Sequence, residues 1–236
     1  MTRRIYLMRH GDVAYYSPDS IGLSPDDVHL TELGRMQARS AGSALSAVPF
    51  DRVATSGLNR TTETADLVLT GMDGTRPEAV ETWPELIEIR SGRVNDVADE
   101  DLESSFLDIW NGIAPRDARF VNGETIGTFV DRVVPAFLRL IESPDWDTML
   151  LVLHGAVNRA ILSYVLTGER VFFGHLEQST TCVNVIDIDP HLSVRAVNVT
   201  PYDLAYSSRQ TSIQRNYQQL LATRQLASNT RDLEDQ

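Results

Sequence analysis

The chain has 236 residues, of which 42% are hydrophobic, and its formal net charge is −12. This length fits one α/β domain with a sizeable core. An acidic chain without a basic stripe repels nucleic acid and anionic membranes, so neither is expected as a partner.

The sequence indicates a cytoplasmic protein. No apolar run approaches the roughly 18 residues of a membrane span, and the first residues lack the long apolar segment of a secretory signal. The single cysteine, Cys182, cannot form an internal disulfide, and its strand-like surroundings predict a buried thiol without a redox role. No cofactor and no metal ion are indicated.

Two apolar runs end in the same dipeptide. Residues 5–8 lead into Arg9-His10-Gly11, and residues 149–153 lead into His154-Gly155. Both runs predict buried strands, and open α/β sheets bind their ligands at the carboxyl ends of the strands. We therefore expect His10 and His154 to face one crevice.

The chain between these runs alternates loops, helices and strands. Residues 12–29 are rich in Asp, Ser, Pro and Gly, which predicts a loop arching over the first strand end. Thr31 can cap a helix whose apolar residues recur near helical spacing. Residues 52–56 predict a second short strand, which places Arg60 in the first turn of the next helix. The apolar residues of the capped helix are Leu33, Met36, Ala41, Ala44 and Leu45.

The second half of the chain begins with an insertion. Residues 92–122 mix acidic and aromatic residues, which predicts a short helix inside an insertion that could form a lid. A longer helix follows residues 123–125, loosened at Pro135, and strands are expected over residues 183–188 and 194–199. The apolar stripe of the long helix is Ile126, Phe129, Val130, Val133, Phe137, Leu140 and Ile141.

The order of these elements predicts an α/β fold. It is a three-layer α/β/α sandwich whose central sheet is mainly parallel and covered on both faces. We expect one catalytic domain over residues 1–205, with the insertion near residues 92–122. A polar segment over residues 206–236 follows, helical at best over 209–226 and frayed over 227–236. The oligomeric state stays open, a homo-oligomer included.

Five segments follow one another in a characteristic order. They are Arg9-His10-Gly11, residues 30–34 (LTELG), residues 56–65 (SGLNRTTETA), Leu86-Ile87-Glu88 with Gly92, and His154-Gly155 with Val157 and Arg159. In this order they resemble the histidine phosphatase superfamily, the fold shared by cofactor-dependent phosphoglycerate mutases and many small acid phosphatases. The resemblance covers about residues 3–200, so it implies a phosphoglycerate mutase-like fold.

The resemblance also implies a role for each of five residues. His10 would be the nucleophile, Arg9 and Arg60 would bind the phosphate, and His154 would complete the phosphate clamp. Glu88 would donate a proton to the leaving oxygen, and we expect it in a partly desolvated pocket. Glu78, Glu81 and Glu85 are its rivals, and the Leu-x-Glu-x-x-x-Gly spacing favours Glu88.

The sequence departs from the family pattern beside the nucleophile. Many members have Glu or Gln, then Thr or Ser, and an Asn where this chain has Asp12, Val13 and Tyr16. The Asn normally helps to hold the phosphate, so one contact is in doubt. The interval from Glu88 to His154 is also shorter than in the glycolytic mutases, which favours water as the acceptor.

The leading hypothesis is a metal-independent phosphatase that acts on a small phosphorylated metabolite through a phosphohistidine. One alternative is phosphoglycerate mutase-type phosphoryl transfer, and another is a non-catalytic module that binds a phosphorylated ligand. Sugar phosphates, phosphoglycerates, nucleotide monophosphates and phosphorylated cofactor precursors are all open as substrates. Three histidines without matching context are interpreted as loop or surface residues: His29, His175 and His191. Four other side chains could contact the rest of the substrate, although an ordinary packing or surface role is favoured for each: Tyr15, Tyr16, Arg90 and Arg93.

Overall fold

A six-stranded sheet forms the centre of the computed structural model, which describes residues 2–16, 24, 26–72, 77 and 79–234, without the side chains of 227–234. The strands are β1 (Arg3–Arg9), β2 (Arg52–Thr55), β3 (Val80–Thr82), β4 (Thr148–Leu153), β5 (Val183–Ile188) and β6 (Leu192–Val199). The helices are α1 (Glu32–Ala44), α2 (Asn59–Thr70), α3 (Leu102–Leu107), α4 (Ile126–Glu142), α5 (Gly155–Thr167) and α6 (Ser212–Glu234). The predicted loop over residues 12–29 lies only partly within the described residues, and Glu78 lies outside them.

The sheet is mainly parallel, as predicted. Its strand order is β3-β2-β4-β1-β5-β6, and the first four strands in this order run parallel to one another. β5 is antiparallel to β1, and β6 is antiparallel to β5. Only residues 189–191 join β5 to β6, and a parallel pairing would need a crossover of about a dozen residues. The last two strands therefore form a hairpin at the sheet edge.

Helices cover both faces of the sheet, which confirms the three-layer sandwich. Successive residues of a strand point to opposite faces. Leu7 and Leu151 belong to the apolar cluster under α4 and α5, whereas Met8 and Val152 belong to the cluster under α1 and α2. The central strands β1 and β4 are therefore buried on both sides, which fixes the backbone that leads to the two His-Gly pairs.

Helix α4 forms as the sequence predicts. The Thr125 hydroxyl oxygen accepts the backbone N–H of Thr128 at 3.1 Å and caps the first turn. Every residue of the predicted apolar stripe is buried. The helix continues through Pro135 to Glu142, so no break in the helix occurs at the proline.

Helix α1 has the predicted cap but a different buried face. The Thr31 hydroxyl oxygen accepts the backbone N–H of Gly34 at 3.0 Å. Leu33 and Met36 were expected on the apolar face, yet they are 46% and 54% exposed. The buried face carries small residues instead, among them Ala38 and Ala41, because α1 packs closely against α2. Large apolar side chains would hold the two helices apart.

Two further segments matter for the site. The predicted short helix of the insertion is α3, and it packs against α6. Helix α6 continues to Glu234 instead of ending near residue 226. Leu220 of this helix is 5% exposed and lies in one apolar cluster with Phe106. The division into a domain over residues 1–205 and a segment over 206–236 stays a prediction.

Replacing Gly34 by Ala should destabilise the protein. A Cβ at this position would overlap the backbone carbonyl oxygen of Asp12, which cannot move without displacing the segment after β1. We expect the free energy of unfolding to fall by about 2 kcal/mol or more in urea titrations. Gly71→Ala is the matched control, since its Cβ would make only ordinary contacts. Equal losses in the two variants would contradict the prediction.

Candidate active site

The two His-Gly pairs meet at one edge of the sheet. β1 and β4 are neighbours in parallel register, with Arg9 opposite Leu153, and the backbone N–H of His10 donates to the Leu153 carbonyl at 2.9 Å. The residue that follows β4 is His154. The two imidazole rings lie 5.3 Å apart between centroids, and both are completely buried. The two rings are therefore adjacent, while other residues line the cavity beside them.

A single backbone contact fixes the tautomer of His10. Its Nδ1 lies 2.7 Å from the Gly11 carbonyl oxygen, which can only accept a hydrogen bond. Nδ1 therefore carries the proton, and a neutral ring keeps its lone pair on Nε2. The hydroxyl oxygen of Tyr15 is 3.5 Å from this Nε2.

Burial and nearby cations keep both imidazoles neutral. Burial is the first cause that lowers the pKa of His10 well below its ordinary value of 6.5, followed by the charges of Arg60 and Arg9. Burial also lowers the pKa of His154 well below 6.5, followed by Arg60, His10 and Arg9. At neutral pH the site therefore holds two neutral rings beside two guanidinium groups.

His154 is oriented by a serine that the sequence analysis missed. Its Nε2 lies 2.8 Å from the Ser56 hydroxyl, which also contacts the Thr61 hydroxyl at 3.0 Å. Nδ1 of His154 is buried and has no hydrogen-bond partner within the described part of the chain. A buried polar atom without a partner is suited to bind a ligand. Ser56 lies inside the third of the five recognised segments, but its residue type alone did not separate it from its neighbours.

The two arginines come from different elements. Arg9 ends β1, is 4% exposed, and donates from Nη1 to the Gln178 carbonyl at 2.6 Å. Arg60 lies in the first turn of α2, as predicted, and is 1% exposed. Its guanidinium carbon lies 5.7 Å from the centre of the Tyr15 ring. Two buried cations beside neutral imidazoles form a site suited to a dianionic phosphate.

The carboxylate of Glu88 lies against the first turn of α5. Both of its oxygens are 3.2 Å from the backbone N–H of Ala156, and one of them also accepts the backbone N–H of Ile89 at 3.0 Å. It is partly buried, as expected. Its described rivals do not line the cavity: Glu81 pairs with Arg52 at 2.6 Å, and Glu85 pairs with Arg139 at 3.0 Å. The geometry therefore favours Glu88.

Arg132 of α4 holds the segment that carries Glu88. Its Nη1 donates to the carbonyl oxygens of Glu85 and Ile87, and its Nη2 lies 2.9 Å from the Glu124 carboxylate. The Arg132 and Glu124 side chains are only 17% and 7% exposed. No motif in the sequence indicates this brace, because its partners are mainly backbone carbonyls.

A cavity of about 340 Å³ opens beside these groups. Arg9, Arg60 and Glu88 line it together with Gly155 and Ala156 at the start of α5. Tyr15, Tyr16 and Arg90 also line the cavity, which agrees with the alternative that they contact the rest of the substrate. Aromatic residues of the insertion and two residues of α6 complete this wall: Phe106, Trp110, Phe120, Ile213 and Asn216.

The remaining candidates lie elsewhere. His29, His175 and His191 are exposed, as expected. Cys182 is completely buried, and burial raises the pKa of its thiol to about 12. Within the described ranges, no group of three or more His, Cys, Asp or Glu side chains is arranged to hold a metal ion. None of the helices in the described chain combines the length and apolar character that crossing a bilayer requires.

Comparison with known proteins gives consistent matches. The family model for the histidine phosphatase superfamily (branch 1) matches residues 5–200. An adenosylcobalamin/alpha-ribazole phosphatase of Salmonella typhimurium is 33% identical over 191 residues, which cover 78% of this chain and 90% of that protein. The crystal structure of the alpha-ribazole phosphatase from Shigella flexneri has a TM-score of 0.61 at 28% identity, covering 83% and 96% of the two chains. A 2,3-bisphosphoglycerate-dependent phosphoglycerate mutase of Bartonella henselae is 28% identical over 85% of this chain and all of its own length.

The buried histidines should make stability depend on pH. A histidine whose pKa is lower in the folded than in the unfolded state loses protons on folding, so the free energy of unfolding falls as pH drops below 6.5. The slope is up to about 1.4 kcal/mol per pH unit for each histidine. Urea titrations between pH 7 and pH 5 should show a smaller slope for His154→Gln. The exposed control His175→Gln should keep the wild-type slope, and an unchanged slope in His154→Gln would refute this account.

Proposed function

The chain belongs to the histidine phosphatase superfamily and is a hydrolase of the phosphatase type; from its site we propose that it hydrolyses phosphate monoesters of a small metabolite through a phosphohistidine, without a metal ion. The observation that carries the proposal is the orientation of His10. The Gly11 carbonyl holds the proton on Nδ1, so the Nε2 lone pair is free for nucleophilic attack.

In the first step, Nε2 of His10 attacks phosphorus. The new N–P bond forms as the bond between phosphorus and the ester oxygen breaks, and Glu88 donates its proton to that oxygen. Arg9, Arg60 and His154 bind the nonbridging oxygens, where negative charge must be stabilised. The lowered pKa of His10 keeps its ring neutral, and therefore nucleophilic, before the phosphate arrives.

In the second step, water replaces the organic group. Glu88, now a carboxylate, accepts a proton from the water as its oxygen attacks phosphorus. The N–P bond breaks, the electron pair returns to Nε2 of His10, and inorganic phosphate leaves. The backbone N–H groups that Glu88 already accepts from Ile89 and Ala156 keep its carboxylate beside the reacting atoms.

Hydrolysis is favoured over transfer to a second organic acceptor. The relative that is 33% identical is a phosphatase, whereas the mutase relative is 28% identical. The names of the phosphatase relatives make alpha-ribazole 5'-phosphate the first metabolite to test, beside sugar phosphates and phosphoglycerates.

Replacing His10 by Ala should abolish turnover. We expect the rate of para-nitrophenyl phosphate hydrolysis to fall by at least about 10⁴-fold, because the nucleophile is removed. Wild-type activity should persist in a chelator, and brief incubation with ³²P-labelled substrate should leave an acid-labile label on the wild type and none on His10→Ala. A phosphoglycerate substrate that yields its isomer instead of free phosphate would favour the mutase.

Replacing Glu88 by Gln should slow the hydrolysis of esters with poor leaving groups more than that of esters with good leaving groups. For an alkyl phosphate, whose leaving oxygen needs a proton, kcat/KM should fall about 10²- to 10⁴-fold. For para-nitrophenyl phosphate the loss in kcat/KM should be much smaller, because nitrophenolate departs without protonation. Glu85→Gln is the matched control, since this exposed carboxylate lies outside the cavity and should leave both values near wild type. Equal losses for the two esters would rule out Glu88 as the proton donor.

A further inference from the structure

Helix α6 lies beyond the family match, which ends at residue 200, yet it reaches the active-site cavity. Its first turn is tied to the part of the fold that the family model matches. The backbone N–H of Ser212 donates to the Glu177 carboxylate at 3.1 Å, and the same carboxylate pairs with the buried Arg159 at 3.2 Å. The Ser212 hydroxyl lies 3.5 Å from the Gln178 carbonyl, which also accepts a hydrogen bond from Arg9.

The middle of α6 is tied to the insertion. Arg224 pairs with Asp99 at 2.6 Å and donates to the Val94 carbonyl at 2.9 Å. The Thr223 hydroxyl donates to the Tyr16 carbonyl at 2.7 Å, which also holds the segment after His10. Helix α6 is therefore attached on both sides of the two residues that line the cavity, Ile213 and Asn216.

These two residues lie in an aromatic part of the cavity. Ile213 packs against the apolar cluster of Phe106, to which Tyr16 and Phe120 also belong as partly buried members. Trp110 lines the same cavity and contacts Phe120 edge to face at 5.6 Å between ring centres. A phosphate group needs none of this surface, and a cavity of about 340 Å³ is larger than a phosphate requires.

We propose that α6 is a specificity element, in which Ile213 contacts a planar aromatic ring in the organic part of the substrate and Asn216 hydrogen-bonds the polar edge of that ring. The inference rests on the proposed phosphatase function and names its substrate class. Aromatic walls favour rings through offset stacking and edge contacts, and the side-chain amide of Asn216 supplies both a donor and an acceptor.

The first test compares two substrates. A nucleoside 5'-monophosphate offers a ring with a polar edge, and glycerol 3-phosphate offers neither. Wild type should prefer the nucleotide in kcat/KM. Ile213→Ala should lower kcat/KM for the nucleotide by about tenfold, since apolar pocket contacts of this size discriminate by that order. Its kcat/KM for glycerol 3-phosphate should stay within about threefold of wild type. A wild-type preference for glycerol 3-phosphate would overturn the proposal.

Two further variants sharpen the comparison. Ile213→Trp should fill the aromatic part of the cavity and exclude the nucleotide while glycerol 3-phosphate is still hydrolysed. Gln218→Trp is its matched control, because Gln218 is exposed on the same helix and does not line the cavity. Thermal unfolding verifies that each variant folds. If Ile213→Trp does not fold, the result for Ile213→Ala decides between the two outcomes. Parallel losses on both substrates in the folded Ile213 variants would contradict the proposal.

The polar edge has its own test. Asn216→Ala should lower kcat/KM for the nucleotide more than for phenyl phosphate, whose ring has no polar edge. Equal effects would remove Asn216 from the proposal.

Failure of the proposed function can be told apart from failure of the inference about α6. If wild type hydrolyses no ester, the phosphatase mechanism fails, and calorimetric binding of a non-hydrolysable nucleoside phosphonate then decides the inference. Weaker binding to Ile213→Ala than to wild type and Gln218→Trp would support it, and equal binding would overturn it.

Discussion

The parallel pairing of β1 with β4 is the constraint on which the site depends. Each strand is buried on both faces, so neither can shift its register without exposing apolar residues to water. Because Arg9 lies opposite Leu153, the residues that follow must emerge side by side. The strand pairing thereby brings two imidazoles that are 144 residues apart in the chain to a distance of 5.3 Å between ring centres.

Burial then gives these side chains their chemistry. The protein carries a net charge of −12, yet Arg9 and Arg60 place two guanidinium groups in a nearly dry site. In such surroundings a cation opposes protonation of a nearby imidazole more strongly than it would in water, and it attracts a phosphate more strongly for the same reason. In the proposed mechanism, the same desolvation thus keeps His10 nucleophilic and draws the substrate toward it.

Much of the fold followed from local patterns in the sequence. The approximate positions of β1, β2, β4, β5 and β6, the cap at Thr31 and the buried stripe of α4 each depend on residues close in the chain. The short edge strand β3 was not predicted. The parallel and antiparallel pairings followed less directly, since chain connectivity decides them. Leu33 and Met36 were misplaced because close packing against α2 favours small residues, a tertiary effect that the helical period of α1 does not carry.

The residues of the site also divide into those that the sequence predicts and those that it does not. His10, Arg9, Arg60, Glu88 and His154 could be predicted because each stands in a recognisable segment. The structure places Arg9, Arg60 and Glu88 around one cavity and the two imidazoles side by side next to it. Ser56 and Arg132 act through a hydroxyl and through backbone carbonyls, which leave no distinctive pattern in a sequence.

The residues that surround the organic part of the substrate were the hardest to foresee, and the reason is architectural. The reacting groups sit at strand ends and helix starts whose positions the packed sheet determines, whereas the aromatic wall is assembled from the insertion and α6. Phe106 and Ile213 are more than a hundred residues apart and meet only after the sheet has formed. Such a wall can change without disturbing the backbone that holds His10 and His154, so one catalytic centre can serve different organic groups.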